Sequence, residues 1–503
     1  MACVSRRWFI GGAAACGAFA GNRVFAANGF GGGTPRLKLG VITDIHVRNR
    51  AKPGDDETSS INELTFVKTL KWFRDQGVDG VVIAGDITDL GTIEELQTVA
   101  DAWFGVFPND LAPDGRKVER LFVTGNHDAF TADMLARPGI SDRDMITADK
   151  SGVWQRMFHE PCEAVWTKEV KGYCFVGANW WTLNDGKKKA EAPNESITEW
   201  YAANARKIDP SLPFFHIQHQ HPKDTCYGPW AWGHDVGNST KVLSAHPNAV
   251  AISGHSHYPI TDERSVWQGA FTSIGVGCLR ALDIEEEEFG KVLANSRWGG
   301  RAENAAKLTP SITEGDVTRN GTLWSVYEDR IVIRRREFLP EADLGEDWVL
   351  PLPAAEQKPF AFAERAKKIG APEFLAGAAL KVERTSRKTR GAAPTRKTKL
   401  PAIEPVEKEC LKVTVPAAIA KDGARAYRFD IVATYDEGGE KIERKMFAEG
   451  YHHSVRHPKA TSETVCFIGL DELPKKGKMT FVVTPCNCFG RAGSPIRTCF
   501  DLI

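Results

Sequence analysis

The chain carries almost no net charge: 65 Lys and Arg stand against 65 Asp and Glu over 503 residues. That balance argues against a nucleic-acid binder, whose basic face would show as an excess. Long apolar runs are missing as well. The apolar, small-residue stretch ending near Ala20 falls short of the ~20 residues that a membrane span requires, and no later segment qualifies. Cysteine is scarce: there are 11, and none falls in the polar blocks described below, which excludes a thiolate cage of the structural zinc type. Hydrophobic residues make up 42%, enough for packed cores, and at about 150 residues per domain the length implies two to three domains.

The first 26 residues read as an export signal. Arg6 and Arg7 precede the apolar stretch, and no acidic residue occurs before Asp44. The adjacent arginines followed by a bulky apolar pair resemble the twin-arginine signal, which implies a bacterial periplasmic or secreted protein exported by the twin-arginine machinery. Cleavage is expected after Ala26, with Ala20 the alternative. Removing Arg6, Arg7 and Arg23 leaves 62 basic and 65 acidic residues, and removing Cys3 and Cys16 leaves nine cysteines, so at least one thiol should be free.

Five short polar blocks occupy the first half: TDIHV (Asp44, His46), AGDITD (Asp86), TGNHD (Asn126, His127, Asp128), QHQHP (His219, His221) and SGHSH (His255, His257). Carboxylate and amide oxygens mixed with imidazoles suit divalent first-row metals. Setting His127 and Asp128 aside, with one histidine from the fourth block, seven ligands remain, too many for one tetrahedral ion but suited to two ions sharing a carboxylate; a pair of metals about 3.5–4 Å apart clamps attacking and leaving oxygens. Each block follows a short apolar run: Leu37–Thr43, Gly80–Ala84, Leu121–Thr124, Pro213–Gln218 and Ala249–Ser253. Such runs read as buried strands. Helical periodicity appears at Ser60–Phe73 (Leu64, Val67, Leu70, Phe73), Thr92–Phe104 and Ser196–Ala205. The 42 residues from Asp44 to Asp86 and the 40 from Asp86 to Asn126 each accommodate a βαβ crossover. Ligands in open α/β sheets gather beyond the carboxyl ends of the strands, where all five blocks fall.

In this order the blocks resemble the calcineurin-like metallophosphoesterase superfamily over roughly Leu37 to Phe338. The resemblance implies an α/β fold, a four-layer αββα sandwich. It also implies a phosphomonoesterase or phosphodiesterase that uses a metal-activated hydroxide and two divalent ions (Fe, Mn or Zn). Carried over by motif, Asp44, His46 and His257 would hold one ion; Asn126, His219 and His255 the other; Asp86 would bridge. His127 would contact the substrate phosphate and protonate the leaving group, with Asp128 orienting it. The family's fourth block places its histidine two residues before Pro, where this chain has Gln220; His219 is favoured, with His221 the substitute. A nuclease of the same superfamily and a non-catalytic binding protein on this scaffold are the alternatives.

Other residues read more simply. Asp89 either orients His46 or caps the Thr92 helix. His216 reads as a core or supporting histidine, and His159, His234 and His246 as surface residues. Specificity would come from Val47–Asp56 and Cys226–Asp235, where Trp230 and Trp232 either stack on a base, sugar or aromatic leaving group, or pack the layers together.

Phe271–Gly277, Thr322–Tyr327 and Ile331–Phe338 read as second-sheet strands, the last two a hairpin turning at Glu328–Asp329. The catalytic domain is expected over 35–350, a docked linker over 351–371 and a smaller all-β sandwich over 372–503. In that sandwich Leu411–Val415, Tyr427–Tyr435, Lys441–Phe447, Val465–Leu470 and Met479–Pro485 are regularly spaced strands. Val483–Ile496 resembles the last-strand region of fibronectin type III domains. Lys381–Lys399, with eight Lys and Arg and one acid, reads as a solvated loop. Cys486 and Cys488 are expected on one face, able to pair with Cys466 or Cys499.

Overall fold

A computed structural model describes residues 33–48, 58–135, 137, 139–180, 192–229, 231–280, 308–309, 319–391, 402–421, 423–435, 439, 441–452 and 462–502. The signal segment with Arg6 and Arg7, most of the Val47–Asp56 loop, Trp230 and residues 392–399 of the basic run lie outside the described residues.

The first half alternates strand and helix: β1 (Leu37–Ile42), α1 (Thr58–Asp75), β2 (Gly80–Ala84), α2 (Ile93–Val106) and β3 (Glu119–Val123). The short helices α3 (Ala132–Leu135) and α4 (Lys150–Phe158) lead to a hairpin of β4 (Val165–Val170) and β5 (Tyr173–Ala178). Then come α5 (Ala192–Asn204), β6 (Phe214–Ile217), α6 (Asn238–Leu243), β7 (Ala249–Ser253), β8 (Val266–Gln268) and β9 (Thr272–Gly275). The unit closes with β10 (Asn320–Val326), β11 (Arg330–Glu337), β12 (Ala342–Asp343) and β13 (Trp348–Pro351). β1, β2 and β3 run parallel, with β10 antiparallel on the other side of β1 and β11 beyond it. The second sheet has the order β4-β5-β6-β7-β9-β8, parallel from β5 to β9.

Three separate apolar layers establish a four-layer αββα sandwich. Along β2, Val81 and Ile83 pack outward with Phe66, Leu70 and Phe73 of α1 and with α2. Val82 and Ala84 face the other way, toward Phe215, Ile217, Val250 and Ile252 of the second sheet. Ile197 and Tyr201 of α5 and Leu243 of α6 then cover that sheet's outer face. This alternation is the period of two that a strand buried on both sides imposes. Leu64, expected on the buried face of α1, is 60% exposed; Phe66 starts the buried stripe instead, four and seven residues before Leu70 and Phe73. Gly40 lets that stripe approach, since a Cβ there would fall 2.4 Å from the Phe73 ring. α2 starts on a capping box: Thr92 Oγ1 accepts from Glu95 N at 3.2 Å, and the Glu95 carboxylate accepts from Thr92 N at 3.4 Å and also from Leu90 N at 2.9 Å.

After α7 (Phe362–Lys368), which lies within the stretch read as linker, come β14 (Glu373–Phe374), β15 (Lys381–Lys388), β16 (Glu407–Val415), β17 (Ala418–Ile419) and β18 (Arg428–Tyr435). β19 (Lys441–Phe447), β20 (Thr464–Gly469), β21 (Gly477–Cys486) and β22 (Ile496–Leu502) complete the chain. Sheets of order β15-β16-β20 and β19-β18-β21-β22 close over one core that includes Leu411, Val413, Phe429, Ile431, Phe481 and Val483. The start of the basic run is therefore a strand, not a loop. Its charges ride on an edge, where Arg384 meets Glu409 at 3.3 Å and Glu383 meets Lys412 at 2.8 Å. No disulfide links the nine described cysteines. Cys488 lies past the end of β21, so the shared face expected for it and Cys486 is not formed; Cys486 Sγ instead sits 3.7 Å from Asp430 Oδ2. The linker helix α7 docks on the first unit through an Arg365–Glu263 ion pair, and the sandwich meets that unit at Arg264, whose guanidinium lies 5.0 Å from the Tyr427 ring centre.

Candidate metal centre

The strand ends are level. Ile42 pairs with Ile83 and Ala84 with Val123, while Ile217 pairs with Ile252 across the second sheet. Asp44, Asp86 and Asn126 thus leave one sheet beside one another, and His219, His255 and His257 leave the other. Asp44, His46, Asp86, His255 and His257 all have left-handed backbone, with φ between 48° and 69°. For residues with a Cβ this is sparsely populated and costs about 1–3 kcal/mol each, a cost that clusters at functional sites. The turns interlock through hydrogen bonds from Asp44 N to Gly85 O (3.0 Å) and His46 N to Asp86 O (3.0 Å). Glycine is required at Gly125, where a Cβ would lie 2.2 Å from Asp86 Oδ1, and at Gly254, where it would lie 2.0 Å from Thr43 Oγ1.

Each carboxylate is anchored by one oxygen and aims the other inward. Asp44 Oδ2 accepts from Thr43 Oγ1 (2.8 Å) and His255 N (2.9 Å), while Oδ1 is buried without a hydrogen bond, 3.0 Å from His257 Nε2. Asp86 Oδ1 accepts from His127 N (2.8 Å), and Oδ2 faces His219 Nε2 at 3.2 Å and His46 Nε2 at 3.6 Å. Asn126 Oδ1 is buried and unpaired. The imidazoles are aimed the same way. His219 Nδ1 donates to Ala84 O (2.8 Å) and His46 Nδ1 faces Asp89 Oδ1 (3.2 Å), which turns each Nε2 inward. His46 and His257 bring their Nε2 atoms to 3.1 Å, and His255 Nδ1 lies 3.0 Å from His219 Nε2. Asp89 therefore orients His46; the helix cap is Thr92.

Ligand atoms of Asp44, His46, Asp86 and His257 lie within 4.8 Å of one another, and so do those of Asp86, His219 and His255. The two groups share Asp86. Electrostatics point to positive charge at both. Burial works against ionising Asp44, but His257 and His219 outweigh it and hold its carboxyl well below the usual range. Burial likewise opposes charge on His219, yet the Asp86 and Asp44 carboxylates raise it to about 9. His255, buried and next to His219, falls to about 3. Orphaned inward oxygens, converging imidazole nitrogens and this demand for cations fit two divalent metal ions.

Other residues settle differently. His221 is turned away, its ring held by Ser253 Oγ and Ser256 Oγ at 2.8 Å each. Gln220 Nε2 donates to His234 O at 3.3 Å. Asp128 does not orient His127. Its carboxylate accepts from Thr88 N, Thr88 Oγ1 and Gly125 N at 2.7–2.8 Å, tying the second and third loops together, and His127 Nδ1 faces Asp89 O at 2.7 Å instead. Burial, reinforced by Asp86, lifts Asp128 to about 6. His216 is a buried core residue between Tyr201 and Gln218. His159 is exposed, but His246 is half-buried against Tyr201 and Phe214, and His234 bonds Cys226 O at 2.9 Å.

The sequence reading missed Arg48, Arg280 and Trp180. Arg48 Nε (2.6 Å) and Arg280 Nη1 (2.7 Å) flank the Asp89 carboxylate, and Trp180 lies 6.0 Å from the His255 ring. Arg280 is far from any motif in sequence, and only the fold brings it in.

Residues 37–259 match the family described as calcineurin-like phosphoesterase. The chain carries a calcineurin-like phosphoesterase domain. It is similar to a dimetal phosphatase from Danio rerio, 14% identical over 63% of this chain and 99% of that one, with a TM-score of 0.34. It is also similar to purple acid phosphatase PPD1 from yellow lupin seeds, 12% identical over 62% of this chain and 53% of that one, with a TM-score of 0.38. No curated protein matches. Among the described residues, no helix of the phosphoesterase domain or of the sandwich is long and apolar enough to cross a membrane.

Proposed function

We propose that the protein is an exported phosphoesterase that hydrolyses small phosphomonoesters or phosphodiesters with two divalent ions. The observation that carries this reading is the pair of ligand clusters sharing Asp86. Asp44, His46 and His257 would hold one ion, Asn126, His219 and His255 the other, and Asp86 both. When bound, such ions supply charge neutralisation and an acidified water near neutral pH.

The chain's own groups do the rest. His127 Nδ1 donates to Asp89 O, which fixes the ring and leaves Nε2 as the atom that would exchange a proton with the leaving oxygen. Its ring meets His46 edge-on with centres 4.5 Å apart, so it stands beside the cluster. Arg48 and Arg280 hold the Asp89 carboxylate at 2.6 and 2.7 Å, and Asp89 in turn fixes His46 and, through its carbonyl, His127. Asp128 positions loops and is not part of the proton path.

The proposed organisation is a signal over 1–26, a catalytic domain over 35–350, a linker over 351–371 and a fibronectin type III-like sandwich over 372–503. The three-plus-four strand arrangement supports the last of these. Hydrolysis of a panel of phosphate esters by protein carrying two divalent ions tests the activity; no turnover on any monoester or diester overturns it. Changing Arg6 and Arg7 to Lys should leave the precursor in the cytoplasm, and normal delivery would show another route.

A further inference from the structure

Trp232 is half-exposed, at 51%, and is the one aromatic among the large hydrophobic residues exposed in the described chain. An exposed tryptophan on a mobile loop would mean little. This loop is fixed. Asp235 N donates to His221 O (2.8 Å) and His221 N to Gly233 O (3.0 Å), and the buried Asp235 carboxylate accepts from Gly237 N (2.8 Å), Gln218 Nε2 (3.0 Å) and Ser239 Oγ. Next to the indole, Gly233 takes φ +93° and passes so close to the fifth motif that a Cβ would lie 3.0 Å from Ser256 Cβ. Backbone, buried charge and strain are all committed to holding this segment against His255.

The indole is consequently stacked on His255, with ring centres 4.6 Å apart and planes 25° from parallel. His255 in turn faces His219 and Asp86, so the exposed part of Trp232 continues outward from the cluster that would bind the phosphate. Trp180, 8% exposed and 6.0 Å from the same imidazole, forms the buried wall beside it. Packing between the layers does not account for a ring that is half in solvent. A rigid aromatic plane presented to solvent beside a reactive centre is what a flat ligand group needs.

We propose that Trp232 is the platform for the non-phosphoryl part of the substrate, and that the enzyme selects phosphate compounds bearing a planar ring, aryl or nucleobase. This rests on the phosphoesterase reading. The phosphate would sit at the ligand cluster on the His127 side, while the ring would lie over Trp232 on the His255 side.

The test is equilibrium binding to the full chain loaded with divalent metal, comparing phenylphosphonate with methylphosphonate by calorimetry. The wild type should prefer the phenyl compound about tenfold, the order that ring stacking supplies. Trp232→Ala should abolish the preference while leaving methylphosphonate binding within about twofold, and Trp232→Phe, which keeps a ring, should retain most of it. Adenosine monophosphate in parallel separates a ring next to phosphorus from one held a ribose away; whichever loses more in Trp232→Ala identifies the source. Metal content, measured on each variant, guards against an indirect effect through His255. The proposal is overturned if the wild type shows no preference, if Trp232→Ala keeps it, or if both phosphonates weaken equally. Ring-selective binding without hydrolysis of any ester would sink the phosphoesterase reading and leave the platform standing.

Discussion

The two halves of this chain differ in where left-handed backbone gathers. In the sandwich, inward residues such as Phe429, Ile431, Phe481 and Val483 are apolar, and no described non-glycine residue beyond Glu341 has left-handed backbone. In the phosphoesterase unit, five such residues crowd one edge, Asp44 Oδ1 faces His257 Nε2 at 3.0 Å and Asn126 Oδ1 is buried without a hydrogen bond. The sandwich is what burial and pairing alone produce. The other unit gathers left-handed backbone and inward ligand atoms where the five motifs meet, which is the mark of a site rather than of a poor fold.

The sharpest way to break the contrast is Asp86→Ala. Removing the shared carboxylate should empty both positions, seen as loss of most of both ions by elemental analysis. Hydrolysis should fall by more than about 10³-fold, since even one preorganised charge-stabilising group can be worth 10²–10³. Retention of two ions would refute the shared assignment.

His127→Ala should separate chemistry from metal binding. Metal content should stay near wild type while hydrolysis slows by about 10²–10⁴-fold for alkyl esters, which need a proton on the leaving oxygen, and much less for p-nitrophenyl esters. A uniform loss would assign His127 to phosphate positioning, and a lost ion would make it a ligand.

Phe481→Ala examines the other half. Phe481 is fully buried in the sandwich core, and truncation of such a side chain costs about 3–5 kcal/mol. The sandwich should melt earlier in calorimetry while metal content below that transition is unchanged. If ions are lost in parallel, the two regions are not independent, and the Arg365–Glu263 and Arg264–Tyr427 contacts transmit more than they bury.

How much of this was legible in the sequence divides along the same line. Gly80–Ala84, Ala249–Ser253 and Lys441–Phe447 lie where their patterns placed them, because burial on one or both faces writes a period into the residues. Leu64 was misplaced because a helix face is decided by its neighbour: Phe73 meets Gly40 of β1, and Phe66, not Leu64, shares its buried stripe. β15 was invisible because an edge strand carries charge by necessity, and Lys381–Lys388 looks like solvent-exposed chain until Glu407–Val415 is beside it. At the site, the motif residues converge, but their supports were not readable. Asp89 with Arg48 and Arg280, and Asp128 with Thr88, depend on loops brought together from 41, 191 and 40 residues apart.

Glu95 gives a pH-dependent test within the scaffold of the active half. Burial pushes its carboxyl up to about 8, above the roughly 4.3 of an unfolded glutamate. The folded state thus prefers the protonated form, so stability falls as pH rises from about 4.3 to about 8 and levels off above. Glu95→Gln keeps an acceptor for Leu90 N and Thr92 N but removes the charge. Its stability relative to wild type should be unaltered at pH 4, rise through that window by a few kcal/mol at most, and stay flat beyond it. A difference independent of pH would mean that Glu95 does not titrate there.

The smallest expected effect is Thr92→Ala, and it discriminates most finely between scaffold and site. Thr92 Oγ1 accepts from Glu95 N, and its backbone also bridges to Met145, so the residue starts α2 and nothing else. Loss of such a cap costs about 1 kcal/mol, because a helix-terminal N–H loses its acceptor. In a domain of this size that corresponds to a fall of about 2–4 °C in the melting temperature. Asp89, three residues earlier, should keep its grip on His46 through Arg48 and Arg280, so metal content and turnover at 25 °C should be unchanged. If Thr92→Ala instead weakens metal retention, the helix start and the ligand turn form one cooperative unit, and Asp89 is positioned by α2 rather than by its own ion pairs.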